Sequence, residues 1–314
     1  MAAKILVVGM GGVGGYYGGL LAKNNIYDPE IEIYFIARGN HLKMIQQVGL
    51  TIKTDHGTFI AQPKLATDKP EKVGVVDYVI LATKSYDLEE SIEQIKSCIS
   101  KSTVILPLLN GIDITTRIRK LLPENEVWYG CVYIVGRIIA DGMIKASGNV
   151  NSLIFGSTKI NDKQQYFERM LKESKINATL SDKILTDIWR KFAFISSTAS
   201  LTSYFDCDFR DLLKKEYYDI LVDLLNELLQ VAKAEGAELD ESVIDKTIRQ
   251  LEALPVGATS SMHTDFKAKK RTEVDSLTGT IVHLAQKHGI NVPVYEKVYA
   301  ELKKREPLPY HRSI

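Results

Sequence analysis

The sequence lacks the features that mark several classes of protein. It has only three cysteines in 314 residues, Cys98, Cys131 and Cys207, and an odd number of widely spaced cysteines argues against a disulfide framework. Six histidines are present without an HExxH or paired-cysteine spacing, so we expect no metal site. These absences favour a reducing compartment, and we predict a cytoplasmic protein.

An excess of charge of one sign is also missing. The 40 Lys and Arg residues nearly balance the 39 Asp and Glu residues, which leaves a net charge of +1. Such a chain offers no general attraction to nucleic acid or to an anionic membrane. No apolar run approaches the roughly 18–20 residues that cross a bilayer, and the apolar start at 1–15 is interrupted by glycines. We therefore expect neither nucleic acid nor a membrane as a partner.

What the first half does contain is an alternation of short apolar runs with helical stretches. Runs that are apolar on both faces are typical of a parallel sheet covered on both sides. Helical spacing of apolar residues occupies 13–25 and 88–100, and a hairpin is predicted at 50–54 and 58–62. The predicted strands are Lys4–Gly9, Ile31–Ala37, Val76–Thr83 and Thr103–Leu109.

The pattern changes twice further along the chain. Residues 127–156 predict several strands, which we expect to extend the edge of the same sheet in antiparallel orientation, with turns at 141–142 and 148–149. After about residue 182 only helical periodicity remains. The fold class is therefore α/β, with a Rossmann-type doubly wound domain at 1–182 and an all-helical domain at 183–314. We expect a cleft between them.

A glycine motif follows the first predicted strand and opens the first predicted helix. Its residues are Gly9, Met10, Gly11, Gly12, Val13 and Gly14. In a GxGxxG motif, the first glycine permits a tight turn, the second lets the backbone approach a pyrophosphate, and the third allows close packing of helix and strand. The helix N-terminus then offers N–H donors to the phosphates. This context predicts a dinucleotide site, although a plain glycine-rich turn is the alternative.

Three further residues follow the predicted strands of the same sheet. Arg38 stands where NAD-binding proteins usually carry an acidic residue, and an Arg there favours the 2′-phosphate of NADP. Lys84 could neutralise cofactor phosphate, and Asn110 could hydrogen-bond nicotinamide or substrate. The alternatives are a solvated surface Arg at 38 and an ordinary Asn-Gly turn at 110.

Reduction of a ketone needs a proton donor near the carbonyl oxygen. Lys191 begins a nearly uncharged helical stretch, where desolvation could make it an acid, although snorkelling to water is the alternative. Ser261 could donate to a substrate carboxylate and Glu273 could orient Lys191, or both could serve helix capping. An unbroken helix would put Ser261 and Glu273 about 120° apart, so we expect a break near 269–271.

Taken together, the motifs resemble those of the 2-dehydropantoate 2-reductase (ketopantoate reductase) family. The likeness spans nearly the whole chain. The motifs are GMGGVGG at 9–15, ARG at 37–39, ATKSYD at 82–87, LNGID at 109–113, WRKFA at 189–193, SSMxxD at 260–265, RTEVD at 271–275, HGINVP at 288–293 and VYAELK at 298–303.

The resemblance implies NADPH-dependent reduction of 2-dehydropantoate to (R)-pantoate, on the route to pantothenate and coenzyme A. It implies Lys191 as the proton donor, Asn110 in contact with cofactor and substrate, and Ser261 on the substrate carboxylate. Glu273 would lie by the cofactor ribose and the reacting hydroxyl. The implied cofactor residues are Arg38 and Lys84 on the adenosine phosphate and Gly136 against the cofactor.

The substrate half departs from the family pattern. Where the family usually carries Asn four and eight residues after its lysine, this chain has Ile195 and Ala199, and a further Asn is replaced near Phe209. Thr198 and Thr202 lie close to the same helical face and could compensate. The alternatives are therefore a reductase of a different 2-oxo acid, or a catalytically silent dinucleotide sensor. The long helices could also pack into a homodimer.

Overall fold

The computed structural model describes residues 2–307, apart from the side chains of residues 149 and 150. Residue 1 and residues 308–314, the outer ends of the two predicted domains, lie outside this range. The chain divides into two compact units. The first comprises Met1–Leu109 and Ile114–Ile184, and the second Asn110–Asp113 and Leu185–Ile314. The grouping of 110–113 with the helical unit was not predicted from the sequence.

The first unit contains the strands and five α-helices of the chain's described part. The strands are β1 (Ala3–Val8), β2 (Ile31–Ile36), β3 (Leu50–Thr54), β4 (Gly57–Ala61), β5 (Leu65–Thr67), β6 (Tyr78–Leu81), β7 (Val104–Pro107), β8 (Tyr129–Ala140), β9 (Met143–Gly156) and β10 (Asn177–Leu180). The helices are α1 (Gly12–Asn24), α2 (Gly39–Val48), α3 (Leu88–Gln94), α4 (Ile114–Leu121) and α5 (Asp162–Glu173).

A parallel five-stranded sheet forms the centre of this unit, in the order β5-β2-β1-β6-β7. Alternate residues of β1 point to opposite faces, and all four residues from Ile5 to Val8 are buried. Leu6 and Val8 pack in the same cluster as Leu88 of α3 and Ile118 of α4. Ile5 and Val7 pack in a second cluster with α1, α5 and β9. The predicted doubly wound sheet is thereby confirmed.

The expectation for residues 127–156 was wrong in one respect. These residues form two long antiparallel strands, β8 and β9, but they do not extend the edge of the parallel sheet. They build a separate five-stranded sheet with the predicted hairpin β3–β4 and with β10. Gly148 lies inside β9 with φ of 90° and does not end a strand. Strand periodicity indicates which face is apolar, but it does not specify the partner strand.

The second unit is helical. Its helices are α6 (Ile184–Phe205), which begins in the last residue of the first unit, α7 (Lys215–Ala234), α8 (Ser242–Ala253), α9 (Ser261–Lys267), α10 (Thr280–His288) and α11 (Pro293–Arg305). A short π-helix, Asp275–Gly279, precedes α10. The break expected near 269–271 is present, because α9 ends at Lys267 and Lys269 has φ of 52°.

Beyond Lys191, helix α6 carries no charged residue and buries many hydroxyl groups. Most buried hydroxyls form a hydrogen bond, and short side chains on a helix can reach the carbonyl one turn back. Ser197 bonds to the carbonyl of Ala193 in this way, at 2.7 Å. Ser196 bonds instead to the carbonyl of Leu277, and Ser200 pairs with Thr278. These two bonds attach α6 to the π-helix.

Candidate active site

The glycine turn between β1 and α1 depends on backbone geometry. Gly9 has φ of 91°, a conformation that L side chains rarely adopt, and a Cβ there would lie 2.7 Å from the carbonyl oxygen of Ala82. A Cβ on Gly14 would lie 2.1 Å from the carbonyl oxygen of Gly9. The first and third glycines of the motif are therefore sterically required. Met10 is buried and Val13 packs on the core of the first unit.

Gly11 differs from its neighbours. A Cβ added to Gly11 would meet no atom within 4 Å. Gly11 is also the N-cap of α1, where no side chain caps the helix and no acidic residue lies in the first turn. The buried Thr83 hydroxyl has no hydrogen-bond partner within residues 2–307, and the backbone of Thr83 approaches Gly9. A pyrophosphate would fit here, because the helix N-terminus offers N–H donors with open space beside them. The Thr83 hydroxyl is also available to form a hydrogen bond.

Gly12 contributes in a way that the sequence motif does not indicate. A Cβ on Gly12 would lie 2.1 Å from the carbonyl carbon and oxygen of Gly136, in β8. A Cβ on Gly136 would in turn lie 2.8 Å from the oxygen of Gly12. The start of α1 and strand β8 therefore touch backbone to backbone, which puts Gly136 beside the dinucleotide motif.

Arg38 and Lys84 lie at the same edge of the parallel sheet as the glycine turn. Val8 pairs in register with Ile36 and with Leu81, so the residues that follow β1, β2 and β6 leave the sheet at one level. Arg38 is exposed at the N-cap of α2, and Lys84 is half-buried before a short 3₁₀ helix. Both are placed where ligands bind in open α/β sheets.

In the second unit, two predicted site residues separated by 81 positions meet. Lys191 Nζ donates to Asn110 Oδ1 at 2.7 Å. Lys191 is only 8% exposed, so the alternative that it snorkels to water is wrong. A buried ammonium is costly unless it is hydrogen-bonded, and Asn110 supplies an acceptor while it fixes the direction of the side chain. Asn110 therefore does more than form a turn.

The other two predicted site residues of this unit, Ser261 and Glu273, differ in exposure. Ser260, not Ser261, caps α9, since its side chain accepts from the N–H of His263. Ser261 is the first residue of that helix and is exposed. Glu273 is 5% exposed and lies just before the π-helix. Helix capping, the alternative role considered for Ser261, is performed by Ser260.

Thr198 requires a correction. Its side chain is 1% exposed, and its hydroxyl donates to the carbonyl of Phe194 at 2.7 Å. The hydroxyl of Thr202 is likewise bonded, to its own helix and to Ser260. A hydroxyl has one proton to give, so Thr198 cannot donate to a substrate without losing the bond that it already makes. Thr198 does not compensate for Ile195 and Ala199 as a donor.

A polar cluster around His263 was not predicted from the sequence. His263 is 3% exposed and bonds through its two ring nitrogens to Thr259 and to Asp206, each at 2.6 Å. A single histidine beside SSM carries no recognisable spacing, and Asp206 is 57 residues away. Among the described residues, no group of three or more His, Cys, Asp or Glu side chains is arranged to hold a metal ion. Nor is any described helix long and apolar enough to span a bilayer.

The doubly wound sheet and its glycine turn define a Rossmann-type α/β protein with a helical C-terminal region. Two family profiles match the chain: "Ketopantoate reductase PanE/ApbA" at residues 5–159 and "Ketopantoate reductase PanE/ApbA C terminal" at residues 183–306. The chain therefore belongs to the ketopantoate reductase family, and it is an oxidoreductase of that family.

Three proteins show what this chain is similar to. The crystal structure of 2-dehydropantoate 2-reductase from Porphyromonas gingivalis is 34% identical, covers 96% of this chain and 100% of its own, and has a TM-score of 0.85. A D-mandelate dehydrogenase solved with NADH and anilino(oxo)acetate is 26% identical, with coverage of 96% and 98% and a TM-score of 0.85. The uncharacterized oxidoreductase YkpB of Bacillus subtilis is 29% identical over 96% of this chain and 99% of its own.

Proposed function

We propose that this protein reduces 2-dehydropantoate to (R)-pantoate with NADPH. The observation that carries the proposal is the buried contact between Lys191 and Asn110, at 2.7 Å, in a chain whose first unit has the geometry of a dinucleotide site. The similarity to the Porphyromonas gingivalis enzyme over 96% of the chain supports it. A sensor without catalysis would not need a buried, oriented ammonium.

The chain's own residues would act as follows. When bound, NADPH would supply a hydride to the keto carbon. The backbone at Gly9–Gly14 and the side chains of Arg38 and Lys84 would hold the dinucleotide through its phosphates. Ser261 would donate to the substrate carboxylate. Lys191 would transfer a proton to the ketone oxygen as negative charge develops there, and the resulting neutral amine would take a proton from water.

The cofactor preference is part of this proposal. Arg38 is exposed after β2, where a guanidinium can grip a 2′-phosphate and an acidic residue would repel it. Glu273 would lie near the cofactor ribose and near the hydroxyl that forms from the ketone. The cytoplasmic location predicted from the sequence is also part of this proposal. Self-association through the long helices stays a prediction.

A second candidate is reduction of a different, more apolar 2-oxo acid. Ile195 is half-buried one turn beyond Lys191, and Ala199 is 4% exposed one turn further. An apolar side chain cannot hydrogen-bond a substrate hydroxyl, and each such bond contributes about 1–3 kcal/mol to discrimination. The D-mandelate dehydrogenase, solved with an anilino-substituted oxo acid, supports this candidate.

A substrate panel would decide between the two. Oxidation of NADPH and of NADH is followed with 2-dehydropantoate, 2-oxoisovalerate and phenylglyoxylate. The main proposal expects the highest kcat/KM with 2-dehydropantoate and NADPH. A preference for one of the acids without a hydroxyl would instead establish the second candidate. Tight dinucleotide binding with no turnover on any oxo acid would refute both and favour a sensor.

A further inference from the structure

A histidine clamp, consisting of Asp206, Thr259 and His263, joins the C-terminal end of α6 to the start of α9. His263 Nε2 lies 2.6 Å from Asp206 Oδ1, and His263 Nδ1 lies 2.6 Å from Thr259 Oγ1. The histidine ring is buried although both of its nitrogens are polar. A buried imidazole with two satisfied nitrogens has a fixed orientation.

The partner of Nε2 identifies one proton of the clamp. The Asp206 carboxylate accepts, so Nε2 carries a proton. The hydroxyl oxygen of Thr259 lies 2.6 Å from Nδ1, and the same hydroxyl donates to the carbonyl of Cys207 at 3.4 Å. The hydrogen bond from His263 holds the pKa of Asp206 below its usual value. Lys267 approaches the same carboxylate at 3.4 Å.

Asp206 adopts a backbone conformation that few residues accept. Its φ is 53°, in the left-handed region where Asp and Asn are enriched among non-glycine residues. The turn therefore brings the Asp206 carboxylate, whose side chain is 69% exposed, to His263 and Lys267 of α9. Backbone strain of this kind persists where the surrounding bonds hold it.

Other bonds join the same two segments around Ser261. The hydroxyls of Thr202 and Ser260 lie 2.9 Å apart, and the N–H of Phe209 donates to the carbonyl of Ala258 at 2.9 Å. Ser260 and Met262, on either side of Ser261, are buried, whereas Ser261 is exposed. Ser260, which makes one of these bonds, directly precedes Ser261 in the chain, and Ala258 precedes it by three residues.

We propose that Asp206 and His263 are positioning residues that fix Ser261 for the carboxylate of the 2-oxo acid. The inference rests on the proposed function, in which Ser261 binds that carboxylate. Helix α9 has only seven residues, and so short a helix is not stable by itself. Its first turn is held where the clamp attaches it to α6. Release of the clamp would shift Ser261 and weaken oxo-acid binding, with no direct effect on Lys191 or on the dinucleotide.

The test compares Asp206→Ala with Asp206→Asn. Asn retains an oxygen that accepts from Nε2–H and suits the left-handed backbone, whereas Ala loses the acceptor. Lys267→Met is the matched control, because it removes the ammonium group beside Asp206 and keeps the hydrogen bond between Asp206 and His263. KM and kcat are measured for the best 2-oxo acid, together with the Kd for NADPH, the Kd for oxamate in the presence of NADP⁺, and Tm.

We expect Asp206→Ala to raise KM and the oxamate Kd by about tenfold, which corresponds to ~1.4 kcal/mol, while kcat and the NADPH Kd change less than about twofold. Asp206→Asn and Lys267→Met should stay within about threefold of wild type. A fall in Tm for Asp206→Ala without a change in KM or oxamate affinity would overturn the inference, as would equal effects of Ala and Asn.

Failure of the proposed function would look different. A wild-type protein that turns over no oxo acid but binds oxamate would refute the reductase proposal, and the oxamate affinities of the variants would still decide the role of the clamp. A wild-type protein without oxamate binding would refute both. Normal wild-type activity with unaltered Asp206→Ala kinetics would refute the clamp alone.

Discussion

The two units of this protein differ in what forms their proposed ligand sites. In the first unit, the proposed dinucleotide site is made largely of backbone, and contacts of about 2–3 Å would arise if Gly9, Gly12 or Gly14 carried a Cβ. In the second unit, the proposed substrate site is made of side chains: a lysine oriented by Asn110, and polar groups held by hydrogen bonds. A backbone site tolerates little change in sequence. In a side-chain site, residues such as Ile195 and Ala199 can replace Asn on the same helix, so substrate specificity can change while the fold is retained.

The largest expected effect tests the side-chain site. Lys191→Ala should lower kcat by at least ~10² because it removes the proton donor, whereas the dinucleotide Kd should be unchanged. Steady-state kinetics and fluorescence titration with NADPH measure the two quantities. Lys191→Arg should be similarly impaired, since a guanidinium keeps the charge but does not release its proton.

Arg190→Ala is the control for that experiment. Arg190 is exposed and pairs with Asp187 on the surface of the same helix, so its loss should leave kcat near the wild-type value. Turnover of Lys191→Ala at the wild-type rate would remove the lysine from the mechanism.

The backbone site is tested by two adjacent glycines. Gly12→Ala should destabilise the first unit by about 1–3 kcal/mol, because its methyl group would force β8 away from α1. Gly11→Ala should fold normally, because its Cβ has open space and its φ is −80°. That methyl group should nevertheless weaken NADPH binding about tenfold, or ~1.4 kcal/mol, by occupying the space of the pyrophosphate.

Tm and NADPH affinity together separate the two effects. If Gly11→Ala bound NADPH as tightly as wild type, the pyrophosphate would have to lie elsewhere. Equal Tm values for Gly12→Ala and wild type would contradict the tight contact with Gly136.

Cofactor choice concerns a part of the proposed dinucleotide site that depends on a side chain. Arg38→Ala should raise the Kd for NADPH by about tenfold, because a charge-assisted hydrogen bond is worth roughly 1.5–3 kcal/mol and this one is partly solvated. The Kd for NADH should hardly change. Parallel titrations with the two cofactors provide the measurement, and equal losses for both would assign Arg38 to general phosphate binding.

The smallest effect concerns substrate choice. Ile195→Asn restores a hydrogen-bonding group one turn from Lys191, and it should raise kcat/KM for 2-dehydropantoate relative to 2-oxoisovalerate by about fivefold, or ~1 kcal/mol. Ile195→Ala removes the same apolar volume without adding a donor, so it should not change this ratio. A ratio that responds equally to both variants would mean that volume, not hydrogen bonding, sets the preference.

The sequence predicted those features that depend on local pattern. The apolar runs indicated the parallel strands, and the GxGxxG spacing indicated the turn before α1. The angle between Ser261 and Glu273 on an unbroken helix indicated a break near 269–271, and α9 ends at Lys267. It failed for β8 and β9, because a strand's periodicity does not identify its partner. It also missed the packing of Gly12 on Gly136 and the clamp on His263, since these residues carry no common motif.

The amino-acid sequence by itself indicated which residues are candidates for the chemistry and which segments form strands and helices, since charge, glycine content and apolar period are local properties. Only the tertiary structure decided which distant groups meet, such as Lys191 with Asn110 and His263 with Asp206. The reason is that most buried polar groups form a hydrogen bond. Which partner each group finds depends on the packing of segments far apart in the chain.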